Sequence, residues 1–244
     1  LQALTTVQFG SLTTLQIAAL TTGQVAALTI AQIAAFTTSQ VSAVTTSQVA
    51  ALTTAQIVAV ETADLQALTT AQMVAFSASQ VAAFSLNQVA AFTTQQAQAL
   101  TTSQVIALLS TQVAALETSD LQALTTAQIV AFETRDLQIL NSSQLTTLTT
   151  GQLTALTTLQ LAALEASQIA KLTTGQAAAL TTAQLAALTT AQVAALTSIQ
   201  VPVFTTAQVV ALNSVQLQAL TLRQIADLTT RQAQALTTAQ LRAL

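Results

Sequence analysis

Residues 181–196 read TTAQLAALTTAQVAAL, one eight-residue phrase written twice. That phrase sets a register for the whole chain. With positions numbered 1 to 8 from Thr5, thirty octads fill residues 5–244 without insertion or deletion. Position 4 is Gln in 27 octads and Asp in the other three, at Asp64, Asp120 and Asp136. Position 8 is always large and apolar, with 22 Leu, six Phe and two Val. Position 5 is always apolar, position 7 is Ala in 24 octads, and position 1 is Thr, Ser or Asn in 25. Positions 3 and 6 vary freely. In a repeat that fixes some positions and frees others, the first kind are expected to be buried or structural and the second to face out.

The pattern discriminates between secondary structures. In a strand, positions 5 and 8 point to opposite faces, and position 8 shares its face with Gln at position 4. A single unbroken helix advances about 800° per octad, so its apolar stripe drifts about 80° each time and wraps the rod. One short helix restarted in every octad fits better. Thr-x-x-Gln is a capping-box pattern, in which the Thr oxygen accepts from the backbone N–H three residues on and Gln reaches back to the N–H of Thr. Thr181 with Gln184, and Thr189 with Gln192, are instances. Position 1 is therefore the expected N-cap.

A two-turn helix does not stand alone, because isolated helices below about 12–15 residues are marginal. Two buried side chains per octad contribute about 1.5–3 kcal/mol each, against about 1–2 kcal/mol for each backbone that is fixed. Stacking must supply the difference. The expected fold is all-α, a solenoid or superhelix of short capped helices, one per octad, with stability accumulating along the array. Residues 53–68 nearly recur nine octads later at 125–140, and the ETxD octads at Glu61 and Glu117 lie seven apart. Both spacings are odd, so no two-octad alternation is kept. Residues 1–244 read as one uninterrupted array. Its first four residues are positions 5 to 8 of a broken octad and neither end carries a polar capping repeat, so it reads as an excerpt of a longer one.

Composition narrows the function classes. Charged residues are 5% of the chain, against roughly 25% in ordinary soluble domains. Five Lys and Arg with a net charge of −3 leave no basic footprint for nucleic acid. There is no Cys or His, which removes the strongest nucleophile and the usual catalytic base. No enzyme activity and no cofactor are expected. Thr, Ser and Gln interrupt every octad, so no stretch is apolar enough to span a membrane.

The TTxQ[VIL]xAL unit resembles the octapeptide arrays of very large bacterial surface and secreted proteins of the adhesin type, along the whole chain. The resemblance implies a stalk or fibre at the cell surface or outside the cell. TTAQVVAL at 205–212 is also similar to the opening of a TAL-effector DNA-binding repeat. That family repeats at about 34 residues, and the basic residues for phosphate contact are missing here.

Seven of the eight acids occupy position 1 or 4: Glu61, Asp64, Glu117, Asp120, Glu133, Asp136 and Glu165. Glu117, Asp120, Glu133 and Asp136 are the calcium candidates, converging if two octads make one turn. Two acids per octad fall short of the six to eight oxygens that Ca²⁺ takes. The favoured reading assigns no metal and places the carboxylates against the positive end of a helix dipole, with Thr62, Thr118 and Thr134 capping instead of the missing position-1 Thr. The Thr rows suggest an ice-binding face, but capping already accounts for them. The leading functional expectation is an elongated extracellular fibre, stalk or spacer, self-associating or continuing the same array. The alternative is a binding module for calcium, glycan or ice at exposed octad positions.

Overall fold

The computed structural model describes residues 1–244. They form 29 short α-helices and one 3₁₀ turn at Val201–Val203, with no strand. Each helix lies within one octad, beginning at position 2, as in Thr94–Ala99, Thr102–Ala107 and Thr190–Ala195. The residue before each start is extended, as at Thr189 (φ −71°, ψ 159°), and this bend separates one helix from the next.

Helices commonly end on a left-handed glycine. These do not. No residue has positive φ and no peptide bond is cis. Where a helix runs to position 7 the chain leaves it through an extended position 8, as at Leu108 (φ −63°, ψ 135°), and where it stops sooner position 7 keeps helical angles, as at Ala187 (φ −87°, ψ −9°). The large side chain at position 8 stays in the core as the backbone turns out: Leu108, Leu116 and Leu124 are all buried. Burial follows the register, with positions 4, 5 and 8 inside, 1, 2, 3 and 6 outside, and Ala at 7 half-buried, as in residues 101–108.

The chain divides into two units, Leu1–Leu124 and Thr125–Leu244. Within each, a helix packs on the one three octads further along: Thr94–Ala99 on Thr118–Ala123 in the first, Thr150–Ala155 on Thr174–Ala179 in the second. Side-chain hydrogen bonds reach four octads back, as from Gln104 to Met73 and Phe76. Three to four octads therefore complete a turn in each unit. That corrects the two-octad turn on which convergence of Glu117, Asp120, Glu133 and Asp136 depended.

Stacked position-8 side chains fill the core of each unit. In the first, Phe76, Phe84 and Phe92 meet edge to face at 5.2 and 5.5 Å, a favoured arrangement of aromatic rings. The two Val residues at position 8, Val44 and Val60, line an apolar cavity of about 40 Å³, where Leu elsewhere fills the space. In the second unit, Pro202 stands at position 6, where its missing N–H interrupts a helix. The octad answers with the 3₁₀ turn, and the hydroxyl of its would-be cap, Thr197, is buried without a partner.

Candidate functional site

The recurrent site is the side chain at position 4. Gln192 is typical. Its own backbone N–H donates to Thr189 Oγ1 at 3.2 Å, and its Oε1 accepts from the Thr189 N–H at 2.8 Å. This is the expected capping box, and it is present from Thr5–Gln8 to Thr237–Gln240. The other half of the amide does something the capping pattern does not require. Gln192 Nε2 donates to the carbonyls of Leu161, Ala162 and Leu164 at 3.1, 3.2 and 2.7 Å. Those are positions 5, 6 and 8 of the octad four earlier.

The same clamp recurs in both units. In the first, Gln48 reaches Ile17, Ala18 and Leu20, and Gln80 reaches Val49, Ala50 and Leu52. In the second, Gln184 reaches Leu153, Thr154 and Leu156. Gln8, Gln16 and Gln24, whose register reaches ahead of Leu1, are exposed and bond within their own octad. From Gln32 onward the amide is buried. One side chain thus satisfies an N–H at a helix start and adds a donor to the carbonyls at a helix end one turn below, of which the position-5 one also accepts the position-8 N–H. Each such bond contributes about 0.5–1.5 kcal/mol net, and a buried carbonyl left unpaired costs about 1–3 kcal/mol.

One signal in the sequence pointed to this second task. A capping box accepts Glu as readily as Gln, yet Glu never stands at position 4. Glu offers the acceptor and lacks the donor.

The acids occupy the same machinery. Glu61, Glu117 and Glu133 are the N-cap residues of helices that begin at Thr62, Thr118 and Thr134. Those three Thr residues are therefore the first helical residues and not the caps expected for them. Asp64, Asp120 and Asp136 follow at position 4 and are buried. Burial, with the neighbouring Glu61 carboxylate, raises the Asp64 carboxyl. Burial and Glu117 push Asp120 up to about 6. Glu117 and Asp120 lie in the first unit, and Oδ2 of Asp120 is buried with no hydrogen-bond partner. Glu133 and Asp136 lie in the second, where Arg135 sits 2.8 Å from Glu133 and Asp136 Oδ2 accepts the Glu133 N–H at 2.9 Å. No three acidic side chains gather in a metal-binding group. No helix is long and apolar enough to cross a membrane.

The wording of the octad coincides with that of a known repeat family. The ALTTAQ repeat matches residues 1–30, 57–94, 113–150, 150–182 and 169–206, more than half of the chain. The chain belongs to the ALTTAQ repeat family. In ALTTAQ terms, the final Gln of the name is position 4, the clamp, and the two Thr are positions 1 and 2. No curated protein matches the chain.

Proposed function

We propose that this ALTTAQ array is a non-catalytic structural element: an elongated fibre, stalk or spacer at the cell surface or outside the cell, joined to further copies of the same repeat. The observation that carries the reading is the glutamine clamp. Within each unit it ties an octad to the fourth before it through backbone carbonyls, so the tie works whatever the outward residues are. Structural and functional positions are separate: 4, 5 and 8 build the array, and the exposed ones carry scattered substitutions such as Leu15, Leu159 and Leu222 with no gathered group of catalytic type. A repeat whose units contact only near neighbours extends by addition without redesign.

The resemblance to octapeptide arrays of large bacterial surface proteins supports the location. Small-angle scattering on arrays of increasing length tests the proposal. A maximum dimension that grows in proportion to the number of octads is expected. Growth at the cube-root rate of a compact globule overturns it.

A further inference from the structure

The three Asp octads are also the ones that carry Glu at position 1, among only four such Glu residues in the chain. Losing the amide and gaining a second carboxylate therefore go together. The clamp register shows what the loss leaves behind. Residue 120 is delivered to the carbonyls 31, 30 and 28 residues earlier, those of Val89, Ala90 and Phe92. In the preceding octad, Gln112 Nε2 meets the equivalent carbonyls of Val81, Ala82 and Phe84 at 3.1, 3.4 and 2.7 Å. Asp120 brings no donor to this place and is one methylene shorter. Its own Oδ2 is buried without a partner, in a side chain 1% exposed. The carbonyls belong to the C-terminal end of the helix Leu86–Ala90, which is the negative end of its dipole. The register thus sets a carboxylate opposite three carbonyls, oxygen against oxygen, with only the Phe92 N–H on Val89 as a donor among them.

We propose that octad 117–124 binds a hard divalent cation of the calcium type. Asp120 and Glu117 supply carboxylate oxygens and the carbonyls of Val89, Ala90 and Phe92 supply the neutral ones. Two carboxylates balance the charge of one divalent ion. Carbonyl and carboxylate oxygens completed by water make the flexible, oxygen-only shell that calcium accepts and magnesium does not. Glu117 is exposed and gives the ion an entry from solvent. The third Glu/Asp octad supports the reading from within the chain: its position 3 is Arg135, whose guanidinium already lies against Glu133. Where the sequence supplies a cation of its own the pair is matched, and where position 3 is Ser119 it is not. The ion takes over the cross-turn tie that Gln makes elsewhere, so the inference holds whatever the array does.

Calorimetric titration of chelator-treated chain with calcium chloride at neutral pH, paired with thermal melting, tests it. About one ion per chain and a calcium-dependent rise in Tm are expected, with magnesium ineffective. Asp120→Gln, which restores the common octad, and Ser119→Arg, which copies octad 133–140, each abolish the binding and the Tm response in a fully folded chain. An intact chain that takes up no calcium overturns the proposal, as does an Asp120→Gln chain that binds as much. Stability that responds to pH and not to calcium means that a proton fills the gap, and overturns it equally.

Discussion

Octads 109–116 and 117–124 are neighbours in the first unit and depart from the repeat to different depths, one losing the cap alone and the other the cap and the clamp. LSTQVAAL has no cap oxygen, because Leu109 stands where Thr belongs. Its helix Ser110–Ala115 forms all the same, with the Leu109 N–H held by Gln112 Oε1 at 2.7 Å and the Gln112 amide clamped to three carbonyls. ETSDLQAL also has no cap bond, and its Asp120 makes no clamp. Its helix Thr118–Ala123 forms too, but around a buried carboxylate whose proton affinity is raised. The contrast separates two jobs that one Thr-x-x-Gln motif performs. The hydroxyl finishes a helix locally and is dispensable; the amide joins turns, and its loss leaves a charge to be accounted for.

Gln112→Glu breaks the contrast most severely. It keeps the acceptor for the Leu109 N–H and turns the donor into a buried charge facing the carbonyls of Val81, Ala82 and Phe84. A loss of about 3–5 kcal/mol is expected, read by urea unfolding with local hydrogen exchange, since a repeat array need not unfold in one step. Gln112→Glu as stable as the parent would show that the donor bonds carry no weight.

The second effect belongs to Asp120 in calcium-free buffer. Its folded value, about 6, lies above the 3.8 of an ordinary Asp, so the folded state binds the proton more tightly. Burial and Glu117 are the causes, and Glu117 is the charged group that faces it. Stability from this group is therefore complete below about pH 4 and is lost as the pH rises through 6. The shift corresponds to about 3 kcal/mol. Denaturation midpoints of the parent minus those of Asp120→Gln should fall across that window, and a flat difference would refute the assignment.

Pro202→Ala is expected to restore an α-helix to octad 197–204 and to return the Thr197 hydroxyl to its cap, gaining about 1–2 kcal/mol. The clamp there already stands, with Gln200 Nε2 on Ile169 and Leu172 at 3.0 and 2.7 Å. Protection of the octad's amides from exchange should rise; unchanged protection would mean that the 3₁₀ turn is not due to the ring. Leu109→Thr, which adds the missing cap to an octad that is otherwise complete, is the smallest change. It should gain about 1 kcal/mol, and a gain as large as the Gln112→Glu loss would reverse the ranking of hydroxyl and amide.

The helix starts, the buried positions and the outward ones were legible because each depends on residues a few places apart. Thr189 with Gln192 announces its own cap, and Leu at position 8 announces its own burial. The number of octads per turn was not legible, since capping alone accounts for Gln and hides the reach of Nε2. Only the absence of Glu at position 4 betrayed it. The burial of Asp120 was missed for the same reason: without the turn, nothing tells that position 4 lies beneath the carbonyls of an octad some thirty residues away.

The clamp also has a direction. Within each unit, from Gln32 onward in the first, the amide donors at position 4 point to carbonyls 28 to 31 residues nearer the N-terminus and not forward. A chain emerging N-terminus first therefore presents each new octad with acceptors that have already been laid down. Closing so short a span costs little entropy, and the cost is the same for the thirtieth octad as for the fifth. Growth should proceed like a zipper, at a rate set by the local step and not by total length. Assembly in the order of synthesis needs no search over the finished chain, a kinetic property suited to a polymer that acquires its form as it is made.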